Sequence, residues 1–251
     1  MRFATDDGVE LHVEELGAGP PVIMLHGLLV GNMTTWYFTA APDLARTHRV
    51  ILFDLRGHGL SERAPTGYDV DRMTGDLTSV VHRLTDEPVV LVGHSYGALI
   101  ALTFALRHPD RVRKLVLIEA PLPPSRLEEL RAFLYGSPDE MLEALPDALR
   151  DAFRSGRRQG ARLADGIRFL ARESSLLRDL SSAEDVPDEE LAALGCPLLA
   201  VYGTQSSCRP VGARLERVVP GALLVELGGG HFLPLDAPRA LTDVMTRFID
   251  A

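Results

Sequence analysis

The pentapeptide Gly93-His94-Ser95-Tyr96-Gly97 has the G-x-S-x-G spacing of a serine presented for nucleophilic attack. The apolar run Val89–Val92 precedes it and a helical pattern over 96–107 follows, which predicts a strand-to-helix turn at the serine. Such a turn is so tight that its two outer positions, here Gly93 and Gly97, exclude side chains. The helix directs its free N–H groups and the positive end of its dipole at an anion formed beside Ser95. We therefore predict that Ser95 is a nucleophile.

A serine hydroxyl is a poor nucleophile unless a base takes its proton and a third group orients that base. Among eight histidines, His231 is the best candidate, because it follows the apolar run 223–227 and a loop of three glycines. The carboxyl ends of parallel strands meet at one edge of a sheet, so His231 should face the same rim as Ser95. The expected positions of four other histidines are solvated strand or helix surfaces: His12, His48, His82 and His108.

The oxyanion formed on attack requires preorganised donors, commonly two backbone N–H groups. The residue after the nucleophile, Tyr96, supplies one. The second is expected from the loop after the apolar run 22–25, which reads His26-Gly27-Leu28. Gly27 lets the backbone turn inward so that the N–H of Leu28 points at the reacting carbonyl, and His26 is expected to brace the loop; a simple turn glycine is the alternative.

Short apolar runs alternate with helical patterns along most of the chain, which predicts an α/β fold with a mostly parallel sheet flanked by helices. An opening hairpin, Arg2–Thr5 with Val9–Glu14, precedes them. The predicted strands are 22–25, 50–53, 89–92, 115–118, 198–202 and 223–227. The predicted helices are 34–47, 70–86, 96–107, 210–218 and 238–249.

One region breaks the alternation. From Pro121 to about Gly195 no strand-like run occurs, and proline and glycine cut an Arg-, Glu-, Ala- and Leu-rich stretch into several helices. We predict a helical cap over 125–190, inserted into a core formed by 1–124 and 191–251; one or two long crossover helices are the alternative. Apolar residues at helical spacing in this region either line a pocket or simply pack: Leu127, Leu130, Phe133, Leu134, Phe169 and Leu170.

Composition excludes some classes of partner. The formal net charge of −9 argues against nucleic acid and against an anionic membrane surface. No apolar signal region opens the chain and no stretch reaches 18 apolar residues, so we expect a cytoplasmic protein. Cys196 and Cys208, the two cysteines, have neither a metal-type nor a C-x-x-C spacing. We expect no metal and no organic cofactor; the oligomeric state stays open.

Taken together, these motifs resemble the α/β-hydrolase fold family, in its cap-bearing form. The resemblance rests on His26-Gly27 with Trp36 downstream, on the segment 54–61 (Asp-Leu-Arg-Gly-His-Gly-Leu-Ser), on the 93–97 motif, and on Gly230-His231 followed by Asp236 and Pro238. They span nearly the whole chain in the family's order. The 54–61 segment is similar to a loop that has a structural role in that family. The resemblance implies that Arg56, Gly57 and His58 shape the rim beside the oxyanion loop.

The chain departs from the family pattern at the acid. Relatives usually carry an orienting Asp in the loop after the strand that follows the cap, where this chain has Ser206 and no acidic residue between Gly203 and Glu216. Glu119 ends the strand after the nucleophile's helix, and this resembles haloalkane dehalogenases and certain lipases, whose acid comes from that strand. The resemblance implies that Glu119 orients His231; a Ser–His dyad without an acid, or a weakly active protein, is the alternative.

Ser95 at the elbow favours acyl transfer over the alkyl-enzyme chemistry of relatives that have Asp there. We expect a serine hydrolase that cleaves an ester, thioester or lactone of a small-to-medium acyl substrate through an acyl-enzyme. One alternative is a biosynthetic lyase or rearranging enzyme that uses His231 as a general base. Another is a non-catalytic ligand-binding protein with a degenerate triad. A Glu119→Gln change should lower the rate by orders of magnitude, and Ser206→Ala should be nearly silent.

Overall fold

Eight strands form one sheet in the order β1-β2-β4-β3-β5-β6-β7-β8. The computed structural model describes residues 1–122, 150–151, 158–181 and 183–251. The strands are β1 Arg2–Ala4, β2 Glu10–Leu16, β3 Pro21–Leu25, β4 Arg49–Phe53, β5 Val89–His94, β6 Val112–Ile118, β7 Leu198–Gly203 and β8 Leu223–Leu227. β2 is antiparallel to both β1 and β4, and the other neighbours are parallel. The predicted fold class is confirmed.

Helices cover both faces of the sheet. They are α1 Thr34–Tyr37, α2 Ala41–Leu44, α3 Val70–Leu84, α4 Tyr96–Arg107, α5 Arg158–Arg172, α6 Leu176–Ser181, α7 Asp188–Ala192, α8 Arg209–Val218, α9 Leu233–Asp236 and α10 Pro238–Asp250. The single helix predicted over 34–47 is wrong, because two short helices occupy that segment. Pro42 has no N–H to donate to the carbonyl of Phe38, so a continuous helix cannot pass through it.

The central strands are apolar on both faces, as expected for parallel strands that are covered on each side. On one face, α3 and α4 pack against alternate strand residues such as Ile23 and Leu91. On the other face, Trp36 of α1 and Met245 of α10 pack against the intervening residues. The two apolar layers hold the sheet between them. Because β3 to β8 are parallel, their carboxyl ends lie at one rim of the sheet.

The predicted cap is described only in part. Helices α5 and α6 lie within it, and Phe169 and Leu170 of α5 are buried. The residues of the prediction that fall outside the described part of the chain are Leu127, Leu130, Phe133 and Leu134. A cap over 125–190 therefore stays a prediction. In the described residues, no helix combines the length and the apolar composition that crossing a bilayer requires.

Two of the four histidines predicted on solvated surfaces are placed differently. His48 is buried, with its Nδ1 atom 2.9 Å from Thr47 Oγ1 and 3.8 Å from a carboxylate oxygen of Asp250. His12 is largely covered, because its ring lies between the carboxylates of Glu14 and Asp54. The neighbouring side chains shield both rings from solvent. His82 is exposed and His108 is partly exposed.

Candidate active site

Ser95 occupies the turn between β5 and α4 in a conformation that side chains rarely adopt, with φ 55° and ψ −122°. A hydrogen bond from its backbone N–H to the carbonyl of Ile118, 2.8 Å long, holds this conformation. A Cβ atom at Gly93 would lie 2.4 Å from the carbonyl oxygen of Gly97, and one at Gly97 would lie 2.5 Å from the carbonyl oxygen of His26. Both glycines are thus required by close backbone approach.

Ser95, His231 and Glu119 form a continuous chain of contacts. The Nε2 atom of His231 lies 2.9 Å from the Ser95 hydroxyl oxygen, and its Nδ1 atom lies 3.2 Å from Oε2 of Glu119. A carboxylate only accepts hydrogen bonds, so Nδ1 carries the proton in this pair. In the neutral ring Nε2 is then an acceptor for the serine proton. The arrangement has the geometry of a nucleophile, its base and the group that orients the base.

Glu119 is completely buried and is held by groups of β7 and of the loop that follows it. Its N–H donates to the carbonyl of Val201 over 3.0 Å, which sets the end of β6 against β7. Its Oε1 atom accepts the N–H of Gly203 at 2.5 Å, and its Oε2 atom accepts the hydroxyl of Ser206. Ser206, at the usual acid position, therefore contacts the Glu119 carboxylate through its hydroxyl.

Backbone strain is concentrated around these groups. Within the described residues, the non-glycine residues with positive φ are Leu29, Ser95 and Glu119, at 66°, 55° and 55°. Each such conformation costs on the order of 1–3 kcal/mol and persists only where the surrounding structure imposes it. Leu29 follows the predicted oxyanion loop, so all three lie at the rim that carries the candidate triad.

His94, the second residue of the G-x-S-x-G motif, fixes the loop that carries the base. Its Nε2 atom donates a hydrogen bond of 2.8 Å to the backbone carbonyl of His231. Its ring also packs edge-on against Trp36, with ring centroids 6.5 Å apart. His94 is thus a supporting residue, and the motif alone gives it no partner because the loop it holds lies 137 residues away along the chain.

The predicted oxyanion loop lies directly over Ser95. Leu28 and Tyr96 both border the cavity that contains Ser95, and in the described residues no protein acceptor takes a hydrogen bond from either backbone N–H. A Cβ atom at Gly27 would lie 3.1 Å from Cβ of Ser95. His26 braces the loop: its Nε2 atom accepts the N–H of Leu55 at 3.0 Å, so its Nδ1–H donates to the carbonyl of Gly27.

The 54–61 segment supports the same loop from behind. The His58 ring accepts the N–H of Leu29 at 3.0 Å, and the carboxylate of Asp54 accepts the N–H of Met33 at 2.8 Å. Arg56 is buried in a bidentate ion pair with Asp76, with Nε 2.7 Å from Oδ2. These contacts hold the segment rigidly against the oxyanion loop, as the family resemblance implies for it.

Comparisons with known proteins agree with this fold. The family model described as the alpha/beta hydrolase fold matches residues 20–157. Over 257 residues, the chain is 32% identical to the pimeloyl-[acyl-carrier protein] methyl ester esterase of Chromobacterium violaceum, and the alignment covers 94% of this chain and 98% of that protein. The chain belongs to the α/β-hydrolase fold family.

Two further similarities are to proteins named as hydrolases, and the second of them shows the fold alone. The chain is 39% identical over 123 residues to the 2-hydroxy-6-oxo-2,4-heptadienoate hydrolase of Pseudomonas putida; that alignment covers 47% of this chain and only 44% of the relative. A crystal structure of a hydrolase from Pseudomonas aeruginosa superimposes with a TM-score of 0.82 and 23% identity, covering 100% of this chain and 98% of that one.

Three buried histidines, His26, His58 and His94 (the rim histidines), surround the candidate active site. Burial away from water disfavours the charged imidazolium, and it lowers the pKa of His26 to about 4 and those of His58 and His94 to about 3. The rings are therefore neutral at pH 7. Neutral His26 and His58 each donate at Nδ1 and accept at Nε2, as their contacts to the loops require, and neutral His94 donates at Nε2.

A cavity of about 1250 Å³ opens above Ser95 and His231. Its walls come from the oxyanion loop, from the 57–60 turn, from α5 and from the loop after β7. The apolar lining residues on the side of α4 to α6 are Leu99, Leu163, Leu170 and Leu180. This volume exceeds that of typical small-molecule pockets, which is about 300–1000 Å³.

Proposed function

We propose that this α/β hydrolase is a serine hydrolase that cleaves an ester, thioester or lactone of a small-to-medium acyl substrate. The observation that carries the proposal is the pair of contacts of one imidazole, 2.9 Å to the Ser95 hydroxyl and 3.2 Å to the Glu119 carboxylate. The methyl ester esterase relative, aligned over nearly its whole length, supports acyl chemistry. The general base of a lyase would not need a hydroxyl at this distance.

In the proposed reaction the Ser95 oxygen attacks the acyl carbon while its proton passes to Nε2 of His231. The ring becomes a cation, and the carboxylate of Glu119 stabilises it at Nδ1. The oxyanion accepts hydrogen bonds from the N–H groups of Leu28 and Tyr96, and each such donor is worth about 3–4 kcal/mol in comparable enzymes.

Collapse of this tetrahedral intermediate breaks the bond to the leaving group, which takes the proton from His231. Water then attacks the acyl-enzyme, His231 accepts one of its protons, and the second collapse returns that proton to Ser95. The free acid leaves and the enzyme is restored. No step of this reaction requires a metal ion or an organic cofactor. The proposal therefore keeps the expectation that neither takes part.

The test is covalent labelling with a fluorophosphonate, followed by intact mass spectrometry and by turnover of p-nitrophenyl esters. We expect one adduct per chain, and loss of both label and turnover in Ser95→Ala and His231→Ala. Ser207→Ala is the matched control, because its hydroxyl borders the same cavity and should leave labelling intact. Labelling that survives Ser95→Ala, or a labelled protein that turns over no ester, thioester or lactone, would contradict the proposal.

A small-molecule substrate agrees with the size and apolar lining of the cavity. A cytoplasmic location and the exclusion of nucleic acid and membrane stay predictions from composition and charge.

A further inference from the structure

Three metal-ligating groups meet on the side of His231 that faces away from Ser95. The Nδ1 atom of His231, a carboxylate oxygen of Glu119 and the sulfur of Cys208 all lie within 4.8 Å of one another. The sulfur is 4.0 Å from Nδ1, and Nδ1 is 3.2 Å from Oε2. Cys208 and Glu119 are buried, so the cluster lies inside the protein.

The spacing of these atoms is close to that of a tetrahedral zinc site. Bonds of about 2.0–2.3 Å from zinc to oxygen, nitrogen and sulfur put neighbouring ligand atoms roughly 3.3–3.7 Å apart. The two measured separations, 3.2 and 4.0 Å, bracket that range. A thiolate, an imidazole and a carboxylate also form a donor set that suits Zn²⁺ or Cd²⁺ better than Mg²⁺ or Ca²⁺.

The surrounding contacts direct the donor atoms toward one another. Gly203 holds Oε1 of Glu119, and Oε2, which accepts the hydroxyl of Ser206, lies on the side of His231 and Cys208. The N–H of Cys208 donates to the Ser206 oxygen at 3.0 Å, and this contact fixes the backbone from which the thiol projects. Ser206 and His231 border the cavity, so a cation can reach the cluster from the cavity side.

We propose that Glu119, Cys208 and His231 form a site for a soft divalent cation, Zn²⁺ or Cd²⁺, and that the bound cation inactivates the enzyme. The cation binds the Nδ1 lone pair, so the neutral ring must carry its proton at Nε2. That atom then donates and can no longer accept the proton of Ser95. The thiol of Cys208 releases one proton to water when its sulfur binds the cation. The inhibitory part rests on the proposed function, whereas cation binding does not.

Cadmium titration tests binding without reference to activity, because a cadmium–thiolate bond absorbs in the ultraviolet. The protein is kept reduced with a phosphine. We expect the absorption to saturate at one cation per chain, to disappear in Cys208→Ser and to persist in Cys196→Ser, which is the matched control at the other cysteine. Zn²⁺ should compete for the same site. Absorption that Cys208→Ser leaves unchanged would overturn the site.

Ester hydrolysis and fluorophosphonate labelling test the inhibition. Saturating Cd²⁺ should suppress both in the wild-type protein, and Cys208→Ser should require a cation concentration higher by about tenfold or more, each variant being compared with its own metal-free rate. Binding at Cys208 that leaves the rate unchanged would overturn the inhibitory role. Absence of Ser95 labelling in metal-free protein would instead overturn the proposed function, and the cadmium absorption would still decide whether the site exists.

Discussion

Replacing Glu119 by Gln should lower the rate of ester hydrolysis by about a thousandfold, and this loss measures what the carboxylate contributes. Gln has the same shape, and its amide oxygen can keep the hydrogen bond from the N–H of Gly203. Its NH₂ group then faces Nδ1 of His231, where the carboxylate oxygen now lies. A donor at that place favours the ring tautomer with its proton on Nε2, and it removes the charge that stabilises the imidazolium.

The structure sets the size of the effect. Two unit charges 3.2 Å apart attract by about 5 kcal/mol at an effective dielectric constant of about 20. Each 1.36 kcal/mol corresponds to a factor of ten, so full loss of this attraction in the transition state would lower the rate by roughly 10³–10⁴. Because the buried carboxylate is fully enclosed, solvent does not replace the lost charge.

The assay is kcat/KM for a p-nitrophenyl ester, together with thermal unfolding to show that the variant is folded. Glu226→Gln is the matched control, because that carboxylate pairs with Arg209 at the surface, away from the imidazole, and should leave the rate unchanged. A folded Glu119→Gln variant that loses less than about tenfold would refute the assigned role, since a buried charge at this distance cannot be so weak.

Three further changes test the support of the site. Ser206→Ala should lower kcat by only a few-fold, because it removes one hydrogen bond to the carboxylate while the N–H of Gly203 still holds that group in place; a hundredfold loss measured in the same ester assay would contradict this. Gly27→Ala should lower kcat by about 10- to 100-fold, because its methyl group would press on Ser95 from 3.1 Å, whereas Gly228→Ala, with open space around it, should not; equal rates of the two variants would be the contrary result. The rim histidines should make the fold less stable in acid. In the unfolded chain each ring takes up a proton near pH 6.5, whereas in the folded chain it does so only near pH 3–4. These rings should therefore leave the free energy of unfolding unchanged above pH 6.5 and lower it by about 2 kcal/mol each at pH 5. Urea unfolding at pH 7 and pH 5 measures this, and equal stability at the two pH values would contradict it.

The approach of His231 to Ser95 could be predicted from sequence because the signals for both residues are local. Ser95 lies in a motif of five residues whose glycines are required by close backbone contacts. His231 follows a parallel strand, whose carboxyl end must lie at the same rim of the sheet as Ser95. The position of Glu119 came from the family resemblance together with the order of strands. β6 lies between β5 and β7, so the end of β6 is next to both the nucleophile and the loop that carries Ser206.

The remaining contacts depend on packing that no local pattern records. The hydrogen bond from His94 to the His231 carbonyl, the contact of Ser206 with Glu119 and the approach of Cys208 to His231 each join loops from different strands. The burial of His48 likewise depends on α10 packing beside it, through Asp250. The break before α2 is different in kind, since a proline within the predicted helix was a visible local signal.

The most direct measurement of the Ser95–His231 pair is intact mass spectrometry of the protein quenched in acid during turnover of a p-nitrophenyl ester. We predict a mass increase of one acyl group, located by peptide mapping on Ser95, with a burst of p-nitrophenol equal to the enzyme concentration. The acyl group should be absent from His231→Ala. Ester turnover with no acyl-enzyme under conditions where deacylation is slow, or an acyl group on a different residue, would contradict the activation of Ser95 by His231.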